Sequence, residues 1–281
     1  MSSKTLNELF RRTARKLSGS PCPSIEARLL IQLAGRMNET EFFRNLDSPV
    51  PRSLGKKLDC LIKKRKTGWP MAYLLGKKEF WGLEFKVNRW VLISRPETEL
   101  VVEKVLSLPL PEKPRILDVG TGSGNIAVAL AKELPEARVT GCDISKMALK
   151  IARENVRINQ IKNVKLVQGN LLSFFLKKKL SFDLIASNPP YVPEKEWKKL
   201  VRSVRDFEPK KALVAGPTGL EIVEKLVEQA RQCLVPGGYL VVEIGASQKE
   251  AVLELFGPGW SEVETIPDYS GIPRVISARK S

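Results

Sequence analysis

Histidine is absent from this 281-residue chain, and cysteine is scarce, at four residues. Without imidazole there can be no Ser-His-Asp triad, no Cys-His dyad, no His-ligated zinc and no histidine acid/base. Cys22, Cys60, Cys142 and Cys233 stand 38, 82 and 91 residues apart, so no CxxC pair offers a redox or chelating motif. They read as reduced thiols of a cytosolic protein, and no metal site is expected. Long apolar runs are missing too: Val235 to Ile244, interrupted by glycines, falls short of the roughly 18–20 residues a bilayer span needs. Acidic residues are the minority, 31 Asp+Glu against 47 Lys+Arg, and the net charge of +16 suits an acidic partner such as nucleic acid or an acidic protein face. The chemistry left open runs on carboxylates, amides, hydroxyls, backbone groups or a reactive cofactor.

What is present is unevenly distributed. Hydrophobic residues make up 43% of the chain, enough for a core in one large domain or one plus a small one. Residues 1–75 hold 15 basic and 6 acidic side chains, more than half of the net charge. This segment has helical spacing at Ile25, Leu29, Leu30 and Leu33, at Phe42, Phe43 and Leu46, and at Leu54, Leu58, Leu61 and Ile62, with proline breakers between, and predicts a small helical bundle. Arg11, Arg12, Arg15 and Lys16 among Leu6, Leu9, Phe10 and Leu17 could form a presequence; Glu8 and the continuing pattern favour a first domain helix. From Lys77 to Leu92 the period changes to two around Gly82, which predicts a hairpin linker over residues 76–94. Ser94-Arg95-Pro96-Glu97 has capping-box spacing and predicts a helix through Val101, Val102 and Val105.

Residues 95–281 then alternate strand and helix. Strands are expected at Arg115 to Val119, Arg138 to Cys142, Val164 to Gln168, Phe182 to Ser187 and Tyr239 to Ile244. Helices are expected at Asn125 to Glu133, Lys146 to Asn159 and Gly219 to Leu234. Such alternation implies an α/β fold, a parallel sheet with helices on both faces, with ligands bound beyond the carboxyl ends of the strands.

Three segments at those ends carry chemistry. Asp118-Val119-Gly120-Thr121-Gly122-Ser123-Gly124 puts glycines between a strand and a helix, where a ligand can approach the backbone. A bare tight turn would read similarly, but the GxGxG spacing, unlike the dinucleotide GxGxxG, resembles the cofactor loop of S-adenosyl-L-methionine (AdoMet)-dependent methyltransferases. Asp143, 19 residues after Gly124, can accept from both hydroxyls of a ribose or cap the following helix. Asn170 and Leu171, after the third strand, would flank the adenine. Asn188-Pro189-Pro190-Tyr191 follows the fourth strand. Two prolines give up two donors and fix two φ angles, holding carbonyls as acceptors, while Asn188 adds an amide oxygen and Tyr191 a flat wall. A loop breaker is the bland alternative; in this position the four residues suit a planar NH2 group facing a methyl donor.

Together these residues indicate an AdoMet-dependent N-methyltransferase, and the chain resembles the HemK/PrmC family of protein-(glutamine-N5) methyltransferases. The resemblance rests on Glu26-Ala27-Arg28-Leu29-Leu30, Gly68 through Gly76, Glu79 through Leu83, Arg95-Pro96-Glu97-Thr98-Glu99, Asn188 through Tyr191, Phe207-Glu208-Pro209 with Ala212, Leu213, Gly216, Gly219 and Leu220, and Asp268 through Val275, which resembles the family's C-terminal strand. It implies a Rossmann-like sheet, seven-stranded and mostly parallel, preceded by a small helical bundle for substrate docking (1–75) and the hairpin. It further implies methyl transfer to the glutamine N5 of the Gly-Gly-Gln motif in class I peptide-chain release factors, in the cytoplasm, by a monomer. By position, Gly120, Thr121, Gly122, Ser123 and Gly124 would contact the methionine part of AdoMet, Asp143 the ribose, Asn170 and Leu171 the adenine, and Asn188, Pro189, Pro190 and Tyr191 the glutamine amide. Asn170 and Leu171 depart from the Asp and Trp of other members, and Ser94 from a usual proline. The competing readings are an N-methyltransferase of exocyclic amino groups on DNA or RNA bases, favoured by the charge and by Lys63-Lys64-Arg65-Lys66 and Lys177-Lys178-Lys179, and a non-catalytic binding module. The flanking segments weigh against a stable nucleic-acid partner.

Overall fold

The structure, a computed structural model, describes residues 5–281. The chain forms two compact units: one of residues up to Gly76 together with Arg202–Phe207, the other of Lys77–Val201 and Glu208–Ser281.

The first unit is helical: α1 (Leu6–Lys16), α2 (Pro23–Gly35), α3 (Glu39–Arg44), α4 (Arg52–Lys66) and α5 (Met71–Leu75). The basic N-terminal stretch is a domain helix. Thr5 and Glu8 form a reciprocal capping box, and Leu6 and Leu9 enter a core with Ala27, Leu30, Ile31, Phe42, Leu58 and Ile62. Glu26 has a structural reason to stand at its position: it takes a bidentate contact from Arg65, at 2.8 Å to each oxygen. The basic run in α4 is thus divided, with Arg65 turned inward, Lys64 over the Trp69 ring at 5.4 Å, and Lys63 and Lys66 exposed. Residues 202–207, with α10 at Arg202–Arg205, complete this unit as Phe207 packs on Trp69, ring centroids 5.3 Å apart.

The second unit begins with the hairpin β1 (Lys77–Phe80) and β2 (Leu83–Lys86). Trp81 and Gly82 both have positive φ, 54° and 64°, the backbone of a tight two-residue turn. The hairpin is more than a linker, because Phe80 and Phe85 are buried in the same core as Ile116, Ala127 and Leu130. The Ser94–Glu97 capping box does not form. Arg95 is the N-cap of a 3-10 turn at Pro96–Thr98, with no side-chain cap, and the Ser94 hydroxyl is buried without a partner among the described residues. The helix α6 (Glu99–Leu106) follows nonetheless, because Leu100, Val101, Val102 and Val105 provide a buried face.

The remaining elements are β3 (Arg115–Val119), α7 (Asn125–Glu133), β4 (Arg138–Asp143), α8 (Lys146–Ile158), β5 (Val164–Gln168), α9 (Ser173–Lys177), β6 (Phe182–Ser187), the short β7 (Val192–Pro193) and β8 (Val214–Gly216), α11 (Glu221–Cys233), β9 (Leu234–Glu243), α12 (Lys249–Leu253), β10 (Trp260–Pro267) and β11 (Pro273–Lys280). Seven strands form the main sheet in the order β10-β11-β9-β6-β3-β4-β5, and β7 pairs separately with β8. Within it β9, β6, β3, β4 and β5 are parallel, while β11 is antiparallel to both neighbours. Successive residues of β3 feed two cores on opposite faces, Ile116 with α6 and α7, Leu117 with α9 and α11.

Beyond shifts of a single residue at the ends of β4 and α8, three spans differ from expectation. α11 starts two residues late because the Glu221 carboxylate accepts from the Thr218 and Gly219 amides, and Gly219 has φ 89°. β9 starts early, at Leu234. Asp268 to Ile272 is a turn closed by the Asp268 carboxylate, which accepts from the Ser270 and Ile272 amides and from Arg274, so the last strand begins only at Pro273.

Candidate active site

The strand order reverses between β3 and β6, since the chain runs outward through β4 and β5 before returning to the middle of the sheet. A crevice forms at the carboxyl ends of strands at such a switch point. The glycine loop leaves β3 there and the Asn188 segment leaves β6. Ser187 Oγ donates to the Val119 carbonyl at 2.7 Å, and a Cβ placed on Gly120 would lie 3.9 Å from the Asn188 carbonyl oxygen. The two motifs, 68 residues apart in sequence, are neighbours.

Gly120 and Gly122 have φ of 72° and 56°, and a Cβ on either would meet a single backbone oxygen at ordinary contact distance, 3.9 and 3.8 Å, so this backbone is uncrowded on the side a ligand would approach. Gly124 serves packing, since a Cβ there would lie 3.2 Å from the Ala152 methyl of α8. The loop is tied down from within. The Gly120 and Thr121 amides donate to the Cys142 carbonyl, Gly122 to Asp143 Oδ2 and Gly124 to the Thr121 carbonyl, at 2.7–2.9 Å. Thr121 and Ser123 are buried, so Gly120 and Gly122 are the residues of the loop left accessible to a ligand. Asn155, fully buried on α8, accepts from Lys86 N and donates to the Lys86 and Ser123 carbonyls, joining β2 to the loop.

Asp118 lies beneath the loop. Its Oδ2 accepts from Thr121 Oγ1 at 2.5 Å and from Ala127 N at 3.1 Å, while Oδ1 is buried without a partner among the described residues. Burial pushes this carboxyl up to about 7. Asp143 Oδ2 holds Gly122 and Oδ1 accepts from Ser145 N at 2.8 Å, and its pKa too is raised by burial. It therefore shapes the loop, with lone pairs remaining on both oxygens for ribose hydroxyls. Asn170 is exposed and Leu171 half-buried with φ 49°, both at the end of β5. Cys142, between these carboxylates, is pushed up to about 12, first by burial, and is no nucleophile.

Asn188, Pro189, Pro190 and Tyr191 line a small cavity with Leu92, Arg95, Ala212 and Leu213. Its walls are built by residues remote in sequence. Glu208, buried, accepts from Arg95 Nη2 at 2.7 Å and from Ile93 N at 3.1 Å. Gln248 Nε2 donates to the Tyr191 and Gly219 carbonyls, fixing the end of the Asn188 segment. Asn188 Nδ2 donates to Thr98 Oγ1 at 2.9 Å, and Thr98 in turn to Glu243 Oε2 at 2.7 Å. Asn155, Glu243 and Gln248 carry no spacing signal of their own; burial marks the first two, and Gln248, half-buried, is marked only by the bonds it makes.

A glycine loop above a buried carboxyl with an oxygen left over fits the cationic methionine end of AdoMet, and a carboxylate at the end of the next strand fits a ribose. The fold and the crevice define an AdoMet-dependent methyltransferase preceded by a helical unit. Comparison with known proteins carries this further. Residues 111–259 match the family described as methyltransferase domain, and residues 8–76 the PrmC N-terminal domain. The release factor glutamine methyltransferase of Koribacter versatilis is 39% identical over 98% of this chain and 99% of its own, and that of Escherichia coli 37% identical over 96% and 97%. The chain belongs to the release factor glutamine methyltransferase family. Among solved structures, a methyltransferase from Pyrococcus furiosus superposes with a TM-score of 0.53 at 21% identity over 80% of this chain and 98% of its own. A Thermus thermophilus 16S rRNA N2 G1207 methyltransferase, solved with AdoMet and guanosine, gives 0.52 at 18% over 73% and 50%. These two share the fold.

Proposed function

We propose that the chain transfers the methyl group of AdoMet to the side-chain amide N5 of the glutamine in the Gly-Gly-Gln motif of class I peptide-chain release factors. The observation that carries this reading is the adjacency of Asn188-Pro189-Pro190-Tyr191 to the glycine loop, in a cavity whose other walls are Leu92, Arg95, Ala212 and Leu213. AdoMet supplies an already activated methyl electrophile, so the protein's task is positioning. Asn188 Oδ1 and the Pro189 carbonyl accept the two N–H groups of the glutamine amide and turn its nitrogen toward the cofactor. Pro190 holds that backbone rigid, and the Tyr191 ring walls the amide off from water. Asp118 receives the cofactor's ammonium, Asp143 its ribose, and Asn170 and Leu171 border its adenine. No protein base is needed, because the surplus proton passes to solvent after the nitrogen has bonded to the methyl group, and the spent cofactor departs as neutral-sulfur S-adenosylhomocysteine. The chain acts in the cytoplasm as a monomer, with its helical unit docking the release factor and without a stable nucleic-acid partner. No helix among the described residues is long and apolar enough to cross a membrane.

The test is incubation with radiolabelled AdoMet and, separately, a release factor, its Gln→Ala variant in the Gly-Gly-Gln motif, DNA and RNA. Label on the parent release factor alone is expected. Label on DNA or RNA and none on the release factor would overturn the assignment.

A further inference from the structure

An asparagine amide has a donor end and an acceptor end of nearly equal shape, so Asn188 clamps an NH2 group only if its oxygen faces the cavity. The surroundings decide which way it turns. Thr98 and Glu243 are both buried and lie 145 residues apart. The Thr98 hydroxyl has a single proton, and it goes to Glu243 Oε2 at 2.7 Å. A carboxylate can only accept, so this proton has no better use, and Thr98 Oγ1 keeps only lone pairs for Asn188. Nδ2 therefore turns to Thr98, at 2.9 Å, and Oδ1 turns away from it. Tyr191 OH, 3.5 Å from Glu243 Oε1, brings the aromatic wall to the same carboxylate.

Resting on the amide clamp proposed above, we infer that Thr98 and Glu243 are positioning residues that set the polarity of the Asn188 amide, so that it presents an acceptor to the substrate NH2. A reversed amide would set donor against donor. The Arg95–Glu99 segment then has two tasks, since Arg95 ties to Glu208 while Thr98 orients Asn188.

The relay is sensitive to acid. Glu243 is pushed up to about 7, first by burial and further by Glu97, against the lowering effects of Thr98, Arg274 and Tyr191. Below that pH a protonated Glu243 can donate to Thr98, whose hydroxyl then turns its proton to Asn188 and favours the reversed amide. Activity is expected above about pH 7 and lost as the pH falls through it.

The experiment measures kcat on release factor at saturating AdoMet, and AdoMet Kd by calorimetry. Thr98→Val should lower kcat roughly 10–100-fold, an effect the size of one misdirected hydrogen bond, with AdoMet Kd unchanged within about twofold. Thr98→Ser, which keeps the hydroxyl, should restore most of the rate. Glu243→Leu should fall like Thr98→Val, whereas Glu243→Gln, whose Oε1 still accepts from Thr98, should retain activity and lose the acid limb of the kcat profile. Equal rates for the Val and Ser variants, or an acid limb unchanged in Glu243→Gln, would overturn the inference. A parent enzyme that labels no release factor would refute the substrate reading instead, and the relay would then be read without substrate. With ¹⁵N-asparagine labelling and Asn188→Ala for assignment, the Nδ2 protons of Asn188 should exchange slowly in the parent and rapidly in Thr98→Val; equal exchange in both would refute the relay.

Discussion

Replacing Asn155 by alanine should destabilise the α/β unit well beyond what one small polar side chain suggests. Asn155 is fully buried and makes three hydrogen bonds, from Lys86 N at 2.7 Å, to the Lys86 carbonyl at 3.0 Å and to the Ser123 carbonyl at 2.8 Å. Each such bond contributes about 1 kcal/mol net, and deleting one side strands buried partners at a further cost, so the loss should be about 3–4 kcal/mol. For a unit of about 200 residues that is roughly 8–12 °C in Tm. Urea unfolding followed by circular dichroism measures it, with AdoMet Kd taken in parallel by calorimetry. Because the Ser123 carbonyl is one of the freed groups, the glycine loop loses an anchor, and cofactor affinity should weaken by up to about tenfold. Asn155→Asp should be no better, since it offers a carboxylate to two carbonyls. A loss below about 1 kcal/mol with unchanged Kd would show that Phe80 and Phe85 hold the hairpin and the loop by apolar contact alone.

Asp118 is held at about 7, so between its ordinary value and that pH the folded protein keeps a proton the unfolded chain has lost. This contribution falls as pH rises: Asp118→Asn should gain stability relative to the parent from about pH 4 to 7, and added AdoMet should narrow the gap; a pH-independent difference in urea midpoints would refute it. Gly122→Ala should cost about 1 kcal/mol in stability, the strain of φ 56°, yet raise AdoMet Kd more than tenfold by occupying the open side of the loop; calorimetry showing parental affinity would contradict this. Only Cys22 and Cys60 should react with a thiol reagent in the native protein at pH 8, since burial raises Cys142 to about 12 and Cys233 to about 11; fast modification of a third thiol, counted by mass spectrometry, would refute it.

The sheet was legible where strands are buried on both faces. β3 and β6 are apolar runs ended by loop-forming residues, and their predicted bounds coincide with those found. β10 gave no such signal: it carries exposed Glu262, Val263 and Glu264, with a register shift between Ser261 and Glu264, so no alternation survives. The Ser94 box failed because Pro96 sets a 3-10 turn with Arg95 as its cap and the serine turns inward. At the site, the residues at strand ends could be read from spacing alone. Their supports could not, because Thr98 and Glu243, or Arg95 and Glu208, meet only after more than a hundred residues of chain have folded.

Adenosine is common currency in a cell, carried by ATP, dinucleotides and AdoMet alike, and a site that recognised only adenine and ribose would be filled by the most abundant of them. Asp118 sits under the first turn of α7, where its carboxylate already takes the Ala127 amide, and the Gly120, Thr121, Gly122 and Gly124 amides are engaged within the protein. A polyphosphate arriving here finds those four donors spent and meets the half-buried carboxylate of Asp143. A cationic ligand meets the same place as a well of favourable potential. With its amides engaged inside the protein and a carboxylate beside it, the loop offers a phosphate few donors and a cation a favourable neighbour.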